Sequence, residues 1–111
     1  MKVLLINGSP NEKGCTYTAL SEVAGVLNQN GVETEIFQLG KAPIRGCIAC
    51  NGCWEKGKCV FDDDPCNAVA EKIAAADGLV VGSPVYFAGP NGALCALLDR
   101  VFASGSRNFA G

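Results

Sequence analysis

Residues 2–10 read Lys-Val-Leu-Leu-Ile-Asn-Gly-Ser-Pro, and the fold turns on this stretch. Lys2 to Ile6 is a short, continuous apolar run rich in branched residues, and Asn7, Gly8, Ser9 and Pro10 close it with turn formers. Such a run reads as a strand buried on both faces, the kind found in parallel sheets. The same punctuation recurs further on, where Leu79-Val80-Val81 ends at Gly82-Ser83-Pro84.

Working outward, Thr16 to Asn30 carries Leu20, Val23, Ala24 and Leu27 at helical spacing, and Asn30-Gly31 supplies a C-terminal stop. Val32 to Leu39 alternates apolar with polar residues, as a sheet-edge strand does. Residues 40–61 hold four cysteines and show no periodicity, which predicts a loop. Asp64-Pro65 fits a cap followed by proline at the first position of a helix over Pro65 to Ala76, with Val69, Ile73 and Ala76 on one face. Asp62 and Asp63 join Asp64 in favouring that helix's N-terminal dipole, a metal site being the other reading. A last helix is predicted from Gly92 to Phe102, with Leu94, Leu97, Leu98 and Val101 inward and Asp99-Arg100 at a solvated end, an interface contact being the other reading. Ser104 to Gly111 reads as a loop-like tail.

The order β-α-β-loop-α-β-α predicts an α/β domain, a doubly wound parallel sheet with helices on both faces. Right-handed crossovers place the first strand between the other two, in the order 2-1-3. The doubly wound order continues to five strands, 2-1-3-4-5. Only three are legible, so the expectation is one domain over residues 1–111, truncated at its C-terminal end. Standing alone, it would leave the third strand as an open apolar edge that invites pairing with another chain.

The chain has 111 residues, 49% of them apolar, a net charge of −2 and a mean hydropathy of +0.21. That excludes a disordered chain, and the absence of a basic stripe argues against a nucleic-acid partner. The apolar run at Val3–Ile6 is shorter than the roughly 7–15 residues of a secretory signal or the roughly 18 of a membrane span. A cytoplasmic protein without a membrane partner is therefore expected. There is no histidine, which removes the commonest acid–base residue.

In open α/β sheets ligands bind at the carboxyl ends of the strands, where the strand order reverses. The loop Gly8-Ser9-Pro10-Asn11-Glu12-Lys13-Gly14-Cys15-Thr16-Tyr17-Thr18 opens a helix there, and its N–H groups suit an anion. It has neither a Walker lysine nor a dinucleotide-binding glycine pattern. The loop after the third strand presents Val85, Tyr86 and Phe87. Aromatics at a strand end call either for something flat to cover them or for packing beneath the loop.

Cys47, Cys50, Cys53 and Cys59 form C-x2-C-x2-C-x5-C. The first three share the core spacing of ferredoxin-type [4Fe–4S] runs, while redox-active thiols and zinc remain the alternatives. Cys15, Cys66 and Cys95 read as small, partly buried side chains. Trp54 either shields a cluster or simply packs.

Residues 8–20, 47–64 and 82–102 together resemble the NADPH-dependent FMN reductase and iron–sulfur flavoprotein family, along essentially the whole chain. The second aromatic loop, followed by Leu98-Asp99-Arg100, is the most specific part of the match. The resemblance implies a flavodoxin-like three-layer fold. It assigns the FMN phosphate to Ser9, Asn11, Gly14, Cys15, Thr16, Tyr17 and Thr18, and the ring and ribityl chain to Pro84, Val85, Tyr86, Phe87 and Gly89. It implies a cluster on the cysteine run, electrons drawn from NAD(P)H or a ferredoxin-like donor, and a dimer with the flavin near its interface. The flavin carries the chemistry, so no side chain is assigned a catalytic role.

Overall fold

A computed structural model describes the chain at residues 1–41 and 43–109, with side chains as far as Ser104. Strand β1, Lys2–Asn7, lies between β2, Glu33–Gln38, and β3, Gly78–Gly82, and pairs in parallel with both. The order is β2-β1-β3, as the crossover argument requires. Leu5 sits opposite Ile36 on one side and Val80 on the other. Side chains of a strand alternate between faces, so the apolar run of β1 feeds two cores.

On one face, Val3 and Leu5 pack with Leu20 and Ala24 of helix α1, Cys15–Gln29. The helix ends where Gly31 takes a left-handed φ of 79°, a conformation that costs glycine nothing. On the other face, Leu4 and Ile6 meet Val69 of helix α3, Cys66–Ala75, and Leu94, Leu97 and Val101 of helix α4, Gly92–Phe109. Each fully buried aliphatic side chain contributes roughly 1.5–3 kcal/mol of hydrophobic free energy. The two faces together therefore hold the sheet.

Several expectations change. The cysteine segment contains a one-turn helix α2, Cys53–Lys56, closed by Gly57 at φ 71°. The last helix runs on to Phe109, past the predicted end at Phe102. Ser104 sits within it and donates its hydroxyl back to the Arg100 carbonyl at 2.7 Å, as a serine inside a helix can, so its residue type misled as a loop signal. Residues 110–111 of the expected tail lie outside the described residues. Helix α3 starts at Cys66 rather than Pro65, while Asp64 Oδ1 accepts the Cys66 N–H at 3.3 Å, the bond that a capping aspartate makes. Strand β3 is half-exposed rather than buried, because it forms an edge of the three-stranded sheet. Arg100 is not at a solvated end: it is 1% exposed, whereas Asp99 is exposed. Among the described residues no helix is long and apolar enough to cross a membrane.

Candidate cofactor site and cysteine cavity

The loop after β1 is shaped by its own short polar side chains. Asn7, fully buried, accepts the Ser9 N–H on Oδ1 at 3.0 Å and donates from Nδ2 to Gln38 Oε1 at 2.8 Å. Gln38 returns the connection by donating to the Ser9 carbonyl at 2.7 Å. Ser9 is buried, and its Oγ accepts the Asn11 N–H at 3.1 Å, so this hydroxyl shapes the loop from within. The loop delivers Gly14 as the N-cap of α1 with no side-chain cap and no acid in the first turn. An uncapped helix start leaves N–H groups and a positive dipole end facing outward, which suits a phosphate. Cys15 is exposed there, and Thr16 and Tyr17 are half-buried. Thr18 donates its hydroxyl back to the Gly14 carbonyl at 3.2 Å. Lys13 Nζ lies 5.5 Å from the Tyr17 ring centre, adding positive charge at the same end.

The loop after β3 is a small projecting hairpin, with Val85 bridged to Pro90 and Ala88 held at φ 54°. Val85 is 71% exposed, Tyr86 67% and Phe87 94%, which rules out the reading that they pack under the loop. A cleft of about 610 Å³ brings Cys15 and Thr16 together with Pro84. A second, of about 420 Å³, brings Gly8 and Pro10 together with Tyr86 and the start of α4. The two loops that the sequence singled out therefore meet.

A residue passed over by the sequence reading joins them. Asn91, 6% exposed, donates from Nδ2 to the Gly8 carbonyl at 2.6 Å and from its backbone N–H to Ser83 Oγ at 2.9 Å. Its Oδ1 accepts the Leu94 N–H at 3.3 Å, capping α4. An asparagine immediately before a helical run is the available signal. Close packing explains the glycines beneath: a Cβ on Gly8 would lie 3.0 Å from Leu94 Cβ, and one on Gly82 would lie 2.9 Å from Thr16 Cγ2.

The four cysteines of the run border one cavity of about 180 Å³, shared with Trp54, Phe61 and Arg100. Cys47 and Cys50 are exposed, and Cys53 and Cys59 half-buried. Ala49 and Asn51, on either side of Cys50, take left-handed φ values of 57° and 62°. The Ala49 N–H donates to Cys47 Sγ at 3.4 Å. Among the described residues no three ligand-type side chains converge on one metal ion. Four thiols around one cavity are a donor set of the kind that would hold an iron–sulfur cluster. Trp54 is 66% exposed and walls the cavity from outside. Of the other three cysteines, Cys66 is buried as expected, but Cys15 and Cys95 are exposed, on the first turn of α1 and the outer side of α4. Burial pushes the Cys66 thiol up to about 12, so it stays protonated.

Arg100 reaches this cavity from α4. It donates Nε–H to Cys59 Sγ at 3.4 Å, Nη1–H to the Arg45 carbonyl at 3.1 Å and to Asp64, and Nη2–H to the Phe61 carbonyl at 2.8 Å. Its side chain is 0% exposed and that of Asp64 5%. Burial alone would raise the Asp64 carboxyl; hydrogen bonds from Arg100 and from the Cys66 backbone N–H outweigh it and hold the carboxyl below its ordinary value. Burial likewise works against the Arg100 charge, and the bond to Asp64 more than restores it. Asn67, also buried, accepts the Cys59 N–H and donates to the Cys59 carbonyl, both at 3.0 Å. The sequence reading gave Arg100 and Asn67 no such part, because their partners lie in the aperiodic segment whose path it left open.

The fold and paired loops define an open, parallel α/β protein with its ligand face at the strand carboxyl ends. A family model described as NADPH-dependent FMN reductase matches residues 1–111, and the chain belongs to that family. An iron–sulfur flavoprotein of Methanocaldococcus jannaschii is 41% identical over 100 residues, covering 90% of this chain and 51% of that protein. An iron–sulfur flavoprotein of Methanosarcina thermophila is 34% identical over 110 residues, covering 99% of this chain and 57% of that protein. The chain thus spans about half the length of these relatives. The solved structure of RosB with bound intermediate 8-demethyl-8-formylriboflavin-5'-phosphate superposes with a TM-score of 0.71 at 20% identity. The alignment covers 91% of this chain and 42% of RosB, a likeness of fold.

Proposed function

We propose that the chain is the FMN-binding part of an NAD(P)H-dependent flavin oxidoreductase, with an iron–sulfur cluster on Cys47, Cys50, Cys53 and Cys59. The observation that carries this reading is the exposed Val85-Tyr86-Phe87 loop, tied through Asn91 to the loop that opens α1 with an uncapped start. In this reading Asn11, Gly14, Cys15, Thr16, Tyr17 and Thr18 surround the phosphate, with Ser9 holding their loop in shape. Pro84, Val85, Tyr86, Phe87 and Gly89 carry the ring and ribityl chain. FMN supplies hydride acceptance and one-electron transfer when bound, and the protein's part is to bind, orient and shield it. The electron donor is a nicotinamide cofactor or a ferredoxin-like protein. The native protein works as a dimer in the reducing cytoplasm, where thiols persist. The cluster is supported by the cysteine spacing, the shared cavity and the relatives named iron–sulfur flavoproteins.

The test is anaerobic purification, a visible spectrum and an FMN titration. Flavin bands near roughly 370 and 450 nm, with quenched flavin fluorescence, are expected. A shoulder around 400 nm, bleached by dithionite, is expected from the cluster. Steady NADPH oxidation with an added acceptor marks an enzyme, whereas a bound flavin without turnover marks a carrier. A protein that stays colourless with FMN overturns the flavin reading.

A further inference from the structure

We propose that Arg100, held by Asp64, is the residue that positions Cys59 and sets the reduction potential of the iron–sulfur cluster on the cysteine cavity. The inference rests on the cluster reading above and deepens it.

Cys59 stands apart from the other three cysteines of the run. Its backbone is pinned by Asn67 on both the N–H and the carbonyl, and its sulfur receives the Arg100 Nε–H at 3.4 Å. Among the described residues Cys47 receives a local backbone N–H alone, and Cys53 gives its own thiol proton to the Ala103 carbonyl at 3.7 Å. Arg100 is a costly residue at this place. A guanidinium with no exposed surface demands partners for its whole fork, and it takes them from four different residues. Asp64, Arg45 and Phe61 would suffice to dock the segment on α4. The donor aimed at sulfur is surplus to that task. Hydrogen bonds to cluster sulfurs are one of the protein's means of setting the potential, because they draw charge off the thiolate and favour the reduced state. Asp64 works in the opposite direction, since its carboxylate offsets most of the positive charge that Arg100 brings to the cavity.

The two partners thus make opposite predictions. Arg100→Lys keeps the charge but loses the Nε–H donor to Cys59, so the potential falls. Asp64→Asn keeps a hydrogen-bond acceptor but leaves the guanidinium unneutralised, so the potential rises. A purely structural role would disturb the cavity in both variants without reversing the sign.

The experiment reconstitutes the wild-type chain and both variants anaerobically with ferrous iron and sulfide. It measures iron and sulfide per chain, checks folding by circular dichroism, and follows dithionite titration against redox dyes by visible absorbance. The expected result is a shift of about threefold to tenfold in the one-electron equilibrium, up to roughly 59 mV, downward for Arg100→Lys and upward for Asp64→Asn. Equal potentials in all three proteins, or shifts of the same sign, overturn the inference while leaving the cluster in place. Loss of iron from both variants with folding intact marks a purely structural role and overturns the inference. Where one variant does not fold, the sign of the other decides alone, and an unchanged or opposite shift there overturns the inference. A wild-type chain that takes up no iron overturns the cluster reading and the inference together.

Discussion

Asn91 satisfies Gly8, Ser83 and Leu94 at once, so it fixes the loop after β1, the loop after β3 and the start of α4 relative to one another. Asn91→Ala removes the cap on α4 and orphans the buried Gly8 carbonyl. The expected cost is about 1–3 kcal/mol, read as a lower urea midpoint at unchanged slope. FMN affinity falls with it, because the two loops lose their common tie. Phe87 is the opposite case. It is 94% exposed and supports nothing in the fold. Phe87→Ala is expected to leave stability within about 0.5 kcal/mol. FMN binding, followed by fluorescence quenching, is expected to weaken by about 0.5–1.5 kcal/mol, or two- to tenfold. A variant that loses stability but not affinity would reverse the roles given to this loop. The aromatic loop was legible because consecutive aromatics at a strand end are conspicuous. Asn91 was not, because a capping asparagine between glycine and proline looks like any other turn residue until its long-range partner is known.

At the scale of elements, the join between α1 and β3 decides whether the uncapped helix start faces the aromatic loop. Gly82 is where they touch: a Cβ there would meet Thr16 Cγ2 at 2.9 Å and Leu20 Cδ1 at 3.1 Å. Gly82→Ala is expected to cost about 1–3 kcal/mol by overpacking and to push the first turn of α1 outward. Thermal melting with and without FMN checks this, the variant showing both a lower midpoint and a smaller upward shift on adding FMN. The strands and the three longer helices were readable from periodicity, since period 2 and period 3.6 report directly on burial. Two boundaries were not. Ser104 sits inside α4 with its hydroxyl bonded back to the Arg100 carbonyl, and α2 forms within an aperiodic stretch closed by the left-handed Gly57. The site followed the same division. Its loops were found because turn residues mark strand ends, whereas the docking of the cysteine segment onto α4 depends on contacts 36 or more residues apart that no local pattern reports.

Over the whole molecule, two features set how the chain behaves in solution. One is the outer edge of β3, where Val81 is 38% exposed and no strand among the described residues pairs along that edge. The 111-residue chain by itself is expected to self-associate through that edge, and Val81→Lys to shift it toward monomer in light scattering, since an edge lysine blocks strand addition. The other is the buried pair of Asp64 and Arg100, which ties α4 to the segment between the cysteines and α3. The Asp64 carboxyl lies below its ordinary value in the folded chain. A depressed carboxyl contributes stability above the unfolded value, about 3.9, and loses it as pH falls through the folded value. Glu35 acts in the same direction through its hydrogen bond from Lys72, but it is a third exposed and contributes less. The melting temperature is therefore expected to be level near neutrality and to drop below about pH 4. Asp64→Asn leaves Arg100 buried without its counter-charge, at an expected cost of about 3–5 kcal/mol near pH 7. That variant lacks the titrating group, so the stability gap to wild type is expected to close as the pH is lowered. A gap that stays constant from neutrality to pH 3 would mean that Asp64 holds the segment through its shape alone and not through its charge.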